Sequence, residues 1–325
     1  DEIIVPPYTM SATVIAPLIY GCIPVFADIE DQYFCIDPKK IITKITQRTK
    51  AIIAVNLFGH PAELTKLKNI CKKRNIFLIE DNAQAPMAIE NNKYTGTIGD
   101  IGVFSLNRHK HIQTGEGGIC VTNNNFLAKK LRLIRNHGEC IINQKTSSKM
   151  LINNVGFNYR MTELSAAVGI CQLKKLNSIV NERIQIAKKI LKGLKHLDGI
   201  ETPLTRNKCK HVYYGLPMKI NEKLLGCSRK KFASALRAEG LPINEGYVKP
   251  MYELPIFQKK IAFGNKGYPF ILSKISYKGN LCPVAKELHY KKELGFGICS
   301  FKLNNKEINL IIDAFHKVYE KRKSL

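Results

Sequence analysis

Two short stretches of this chain carry residue types suited to carbonyl and acid–base chemistry. The first runs Ile76-Phe77-Leu78-Ile79-Glu80-Asp81-Asn82-Ala83-Gln84. An apolar run followed by two carboxylates predicts a buried strand with Asp81 at its carboxyl end, where open α/β sheets receive ligands. A carboxylate withdrawn from water there needs a cationic partner, because an uncompensated buried charge is strongly destabilising. A protonated ring nitrogen would be such a partner. Taken singly, Asp81 fits a cap on the following turn or helix equally well. The second stretch runs from Gly102 to Gly118 and holds Lys110 among Arg108, His109 and His111. Cationic neighbours and desolvation both favour the neutral amine, the form that attacks an aldehyde. Gly115, Gly117 and Gly118 allow tight backbone turns near a ligand. This stretch alone also reads as a basic loop ahead of a turn. Together, an acid after one strand and an activated amine after a later one fit a site for pyridoxal phosphate. The acid keeps the ring nitrogen protonated so that the ring accepts electrons, and the lysine carries the cofactor.

Both groups must be delivered to one edge of a sheet, and the first half of the chain supplies the elements. Strand signals at Ile3–Pro6, Ala51–Leu57, Ile76–Ile79, Val103–Leu106 and Gly118–Val121 alternate with helical ones, which argues for a mostly parallel sheet flanked by helices. Leu64, Leu67 and Cys71 mark one helix, and Leu127, Leu131 and Ile134 mark another that stops at Gly138. Thr162 is a candidate N-cap for a helix carrying Leu164, Val168 and Cys171. A further helix follows with Val180, Ile184, Ala187 and Leu191. Beyond about residue 196 the alternation weakens into a smaller α+β unit. There Ser228 caps a helix with Phe232 and Leu236 that Gly240 ends. Residues 264–267 form a turn, and Ile308, Ile311, Ile312 and Phe315 line a last amphipathic helix. The expected division is a large domain over 1–195 and a small one over 196–325.

Composition sets the wider frame. The chain has 325 residues, 45% of them hydrophobic and 24% charged, as in an ordinary globular protein. No apolar run is long enough to cross a bilayer, and the acidic opening Asp1-Glu2 is unlike a signal peptide, so a cytoplasmic location is expected. The ten cysteines show no C-x-x-C pairing and read mostly as small buried apolar residues. No metal-ligand pattern is present. The net charge of +25 is unusual. Its basic residues are scattered in pairs and triplets without stacking aromatics between them. That pattern favours a solvated surface, or attraction of a phosphorylated small molecule, over nucleic-acid reading.

The order Glu-Asp-x-Ala-Gln, Phe-Ser, Lys, Gly-Glu-Gly-Gly resembles the DegT/DnrJ/StrS family of sugar aminotransferases. The resemblance extends along nearly the whole chain. It takes in Val5 to Thr13, Gly21 to Asp28, Glu80 to Ala85, Asn136-His137-Gly138, Gly156 to Glu163 and Cys282 to Ala285. It implies an α/β fold of the aspartate aminotransferase-like type, fold type I, with pyridoxal 5'-phosphate as cofactor. It further implies amino transfer, with glutamate as the donor, to a keto sugar that is nucleotide-linked, in cell-surface polysaccharide or secondary-metabolite sugar biosynthesis.

Carried over position by position, the resemblance makes Lys110 the Schiff-base lysine and Asp81 the partner of the pyridine nitrogen. Gln84 would approach the ring hydroxyl and Ser105 would bind the phosphate. Met10 stands where the family usually stacks an aromatic on the ring. Asn158 matches a residue that reaches the phosphate from the neighbouring subunit, which implies a homodimer with shared sites, without nucleic-acid or membrane partners. The family also carries a Gly-Thr/Ser-Ala phosphate turn ahead of the first strand. The chain opens at Asp1 without it, which leaves a longer parent protein or an incomplete site as readings. A related branch, the sugar dehydratases, has His where Lys110 stands, with His109 and His111 on either side. Spacing from Phe104 and to Gly115 supports Lys110. Sugar dehydration and a catalytically inactive partner protein of the same fold stay as alternatives. Substrate contacts are expected within Gly138–Asn154 and Gly246–Pro255.

Overall fold

The structure, a computed structural model, describes residues 1–139, 155–299 and 301–325. The chain begins β1 (Glu2–Val5), α1 (Ala12–Ile19), β2 (Ile23–Phe26), α2 (Pro38–Ile42), β3 (Thr49–Val55), α3 (Leu64–Arg74), β4 (Phe77–Asp81). Two short strands, β5 (Ile89–Glu90) and β6 (Lys93–Tyr94), precede β7 (Ile101–Ser105), β8 (Gly118–Val121) and α4 (Asn125–Arg135). Then come α5 (Glu163–Leu194), β9 (Ile200–Glu201), β10 (Cys209–Lys210), β11 (Leu216–Ile220), α6 (Glu222–Leu225), α7 (Arg229–Ala238) and β12 (Ile243–Glu245). The last elements are α8 (Pro255–Gln258), α9 (Pro283–Glu287), β13 (Glu293–Phe296) and α10 (Asn305–Glu320).

The main sheet has six strands in the order β2-β1-β3-β4-β7-β8. All its pairings are parallel except β7 with β8, which form an antiparallel edge. Val55 pairs with Asp81, and Asp81 with Val103, so β3, β4 and β7 end side by side. This is the mostly parallel α/β sheet expected from the alternation of signals. Its inner residues Ile4, Ile52 and Leu78 are fully buried, as periodic apolar runs covered on both faces must be. Leu64, Leu67 and Cys71 of α3 close one side of that core. Gly102 is required where it stands: a Cβ there would lie 1.9 Å from the Gly96 carbonyl oxygen, so only glycine lets the preceding loop cross β7.

A second core lies on a four-stranded antiparallel sheet, β12-β13-β11-β9. Val180, Ile184, Ala187 and Ile190 of α5 meet Phe232 and Leu236 of α7 and Ile308, Ile311 and Phe315 of α10 there. The division expected between 195 and 196 falls just past α5. The carboxyl half of that helix packs in the second core, while Phe257, Tyr277 and Leu288 return to the first.

Where two helices were expected between residues 164 and 191, one 32-residue helix runs through. The joining residues, Gln172 to Leu176, are good helix formers and contain no glycine or proline to stop it. Thr162 caps it as expected, accepting from Ser165 N, and Ser228 likewise caps α7 from Lys231 N. On α4 the expected face of Leu127, Leu131 and Ile134 is only half-buried; Leu133 is the buried residue. The cysteines also differ from expectation: Cys35, Cys71, Cys282 and Cys299 are buried, but Cys120 and Cys171 are exposed and three others are half-buried. All nine described are free thiols.

Candidate active site

Asp81 is the last residue of β4, and its side chain is half-buried, less enclosed than a reading of Ile76–Gln84 as a buried strand end suggests. Its carboxylate is held by Thr13 Oγ1 at 2.7 Å and by the Ala83 amide at 3.1 Å. The fully buried acid is its neighbour Glu80. Three backbone amides donate to it, Gly96 at 2.6 Å, Ile98 at 2.7 Å and Gly99 at 2.5 Å. Burial raises the Glu80 pKa, and those amides oppose the rise. Glu80 thus anchors the loop that crosses β7, and Asp81 is left to face the strand ends.

Lys110 lies on the loop between β7 and β8. Burial lowers the pKa of its amine, while the negative charge of Asp81 and the thiol of Cys299 oppose that shift. The amine and the carboxylate therefore feel one another across the strand ends. The sequence neighbours expected to activate the amine do not do so. Arg108 and His109 are exposed and bond to each other, Nε to Nε2, at 3.2 Å. His111 is buried, with its pKa lowered to about 4, and is neutral. Its ring faces the Val212 carbonyl oxygen at 3.1 Å, which makes Nε2 the donor. Desolvation, one of the two causes expected from the sequence, is the one that favours the neutral amine.

The remaining expected residues divide by position. Gln84 is on the turn after Asp81, and its amide is largely committed within the protein. Oε1 accepts from Phe58 N at 2.7 Å and Nε2 donates to Tyr247 Oη at 2.9 Å. One N–H of Gln84 has no protein partner among the described residues. Ser105 ends β7, and its hydroxyl accepts from Asn107 N at 3.3 Å. Met10 precedes α1, 57% exposed, with Sδ accepting from Ala12 N at 3.1 Å. Thr13, three positions after Met10, touches Asp81, and β7, which ends in Ser105, lies beside β4. Asn158 is apart from them. It is exposed and bridges to Asn136, on the segment leading into α5. Of the stretches expected to contact substrate, residues 140–154 lie outside the described residues.

Several neighbours of the pair carry no sequence signal of their role. Thr13 lies in the Val5–Thr13 stretch, where no local signal marks it as the partner of Asp81. Tyr214 places its ring 4.8 Å from Lys110 Nζ. Tyr247 packs edge-on against Tyr8 and Phe58 while bonding Gln84. Tyr8 in turn donates to the buried Glu293 and accepts from Tyr247 N. No spacing rule connects these positions.

The donor set suits pyridoxal phosphate. A half-buried amine and a carboxylate are electrostatically coupled, yet among the described residues neither forms an ion pair, so each retains chemistry for a ligand between them. A mostly parallel sheet that brings an amine and a carboxylate to its carboxyl edge suits an enzyme that works through an aldehyde cofactor. The model of the DegT/DnrJ/EryC1/StrS aminotransferase family matches residues 1–271, and the chain belongs to that family. It is an aminotransferase dependent on pyridoxal phosphate.

The chain is 29% identical over 320 residues to the GDP-perosamine synthase of Escherichia coli O157:H7, covering 98% of this chain and 79% of the relative. It is 33% identical over 258 residues to the UDP-N-acetyl-3-dehydro-alpha-D-glucosamine 3-aminotransferase of Acidithiobacillus ferrooxidans, covering 79% and 66%. Among solved structures, an aminotransferase from Psychrobacter cryohalolentis superposes with a TM-score of 0.85 at 27% identity, over 99% of this chain and 82% of that one. Among the described residues, no helix is long and apolar enough to cross a membrane, and no group of side chains suited to hold a metal occurs.

Proposed function

We propose that this chain transfers an amino group, with glutamate as donor, to the ketone of a nucleotide-linked sugar destined for a cell-surface polysaccharide or a secondary metabolite. The observation that carries this reading is the placement of half-buried Lys110 on the loop after β7 and of Asp81 at the end of the adjoining strand β4. Relatives named for perosamine synthesis and for amination of a UDP-linked sugar support the substrate class.

When bound, pyridoxal phosphate supplies an aldehyde to carry the amino group and a ring that accepts electrons. Lys110 Nζ would hold the aldehyde. Once released, the same nitrogen takes a proton from the amine-bearing carbon of the donor and later returns one to the sugar carbon, as general base and then general acid. Burial suits it to this work, because a depressed pKa leaves more of the amine unprotonated near neutrality. Asp81 would keep the ring nitrogen protonated, with Thr13 fixing the carboxylate. Ser105 would bind the phosphate, the free N–H of Gln84 would meet the ring hydroxyl, and Met10 would pack softly on the ring.

The partner subunit's Asn158 would complete the phosphate site, in a homodimer with shared sites. Two features support that assembly: Asn158 stands on an exposed segment, and Leu164 and Leu173 of the adjoining helix are 82% and 60% exposed.

The test is spectroscopic and chemical. Pyridoxal phosphate added to the protein should give a visible absorbance band that Lys110→Ala abolishes. A panel of nucleotide-linked keto sugars with glutamate should then yield an amino sugar. A band that survives in Lys110→Ala overturns the lysine assignment, and a deoxy product without added nitrogen would identify a dehydratase instead.

A further inference from the structure

Tyr214 and Lys110 are held by the same strip of backbone. Tyr214 N donates to Phe58 O at 2.7 Å, Val212 N to Gly59 O at 3.0 Å, and the His211 ring to Phe58 O at 3.0 Å. These bonds fasten the stretch between β10 and β11 to the loop after β3. The lysine loop is fastened to that stretch as well, through the His111 ring and the Val212 carbonyl. The result sets the Lys110 ammonium 4.8 Å from the Tyr214 ring centroid. Burial raises the Tyr214 pKa, so the ring is a neutral phenol near neutral pH and offers its π face rather than a phenolate.

The other groups around the amine do not offer the same seat. His111 is neutral, and Cys299, whose pKa is raised to about 11, is a neutral thiol. Arg183 adds positive charge near both. Tyr247 is a half-buried phenol whose pKa is raised by desolvation, with Tyr214 and Asp81 adding to the rise. Among the described residues Asp81 is the carboxylate that acts on the amine, and in the reading above its charge is directed to the ring nitrogen. A lysine that leaves the cofactor and takes up a proton becomes an ammonium in a half-dry site, where a ring face is the remaining favourable contact.

We infer that Tyr214 is a positioning residue that seats the Lys110 ammonium whenever the lysine is not bonded to the cofactor. This rests on Lys110 being the cofactor-holding amine, but its test does not. In the full chain stripped of cofactor, competitive labelling with acetic anhydride across pH, read by mass spectrometry, gives the apparent pKa of Lys110 directly. Replacing the ring by an aliphatic side chain, in Tyr214→Leu, should lower that pKa and raise Lys110 labelling near neutral pH by about two- to tenfold. Tyr214→Phe keeps the face and should behave as wild type. Tyr214→Met, unbranched and adaptable, repeats the loss of the ring should the leucine variant fold poorly. Unchanged labelling in the folded aliphatic variants, or a shift in Tyr214→Phe as large as theirs, would overturn the inference. Retention of the cofactor band in Lys110→Ala would instead overturn the lysine assignment and leave the labelling result standing.

Discussion

Thr13 Oγ1 donates to Asp81 Oδ2 at 2.7 Å, so the first turn of α1 grips the end of β4, two strands along the sheet from β1. Thr13 also contacts Thr9 Oγ1 at 2.9 Å. Its single hydroxyl proton goes to the carboxylate, so Thr9 must be the donor in that second bond. The relay sets the direction in which Asp81 presents its charge. Thr13→Val preserves shape and removes the donor; a hydrogen bond to a charged group contributes roughly 1.5–3 kcal/mol. Cofactor affinity, measured by titrating the visible band, should weaken about tenfold, and Thr13→Ser should restore it. Equal affinities in wild type and Thr13→Val would show that the hydroxyl does not orient Asp81.

Glu80 gives a prediction about stability. Gly96 donates to its Oε2, and Ile98 and Gly99 donate to its Oε1, so every oxygen is spoken for by an N–H. Glu80→Gln puts an amide NH₂ opposite at least one of those donors in either orientation. A buried donor left unpaired is destabilising by about 1–3 kcal/mol, more beside a lost charge. Chemical denaturation should show a loss of roughly 2–4 kcal/mol, with a weaker cofactor band because Asp81 shares the same strand end.

The sequence made one half of this site legible and hid the other for a physical reason. A run of apolar residues ending in Glu80 and Asp81 announces a strand and its acidic tip, because both signals are local, although within it only Leu78 and Glu80 are buried. Lys110 is singled out by the family resemblance, with its spacing from Phe104 and Gly115 in support. The source of its activation could be only partly read. Arg108 and His109 adjoin it in sequence but turn to solvent, while His111 is neutral, and desolvation acts through contacts made at long range. Thr13 and Tyr247 lie in stretches the sequence singled out, but their roles, like that of Tyr214, are hidden for the same reason, since they arise only when separate segments meet. The single long α5 was hidden because its apolar stripe changes surroundings midway. The first half is exposed and the second is buried, so two separate apolar faces suggested two helices.

Glu293 ties pH to folding. It is completely enclosed, receives the Tyr8 hydroxyl, and burial pushes its pKa up to about 7 from the ordinary carboxylate range. The nearby Arg229 opposes that rise. The folded state therefore holds a proton that the unfolded chain releases at lower pH. Its stabilising contribution is full below the ordinary glutamate pKa of about 4.5 and is lost as pH rises through about 7. Urea midpoints at pH 5, 6, 7 and 8 should fall over that window in wild type. Glu293→Gln, which cannot titrate, should flatten the fall, and an equally steep decline in the variant would assign it to other groups.

The exposed apolar residues leading into α5 and around its first half yield a prediction about assembly. Leu164 is 82% exposed and Leu173 60%, with Tyr159 at 60% on the segment that carries Asn158. Burying a leucine fully is worth roughly 1.5–3 kcal/mol, and two-fold symmetry would count each position twice. Substituting both leucines by glutamate removes that gain and sets like charges together across the axis. Light scattering should then report a protomer mass at concentrations where wild type gives twice that mass. Because the proposed function gives the phosphate to the partner subunit's Asn158, the separated protomers should also release pyridoxal phosphate more readily during gel filtration. A double variant that becomes monomeric yet keeps its cofactor as tightly as wild type would confine the phosphate site to one chain. One that remains a dimer would place the interface on a different surface.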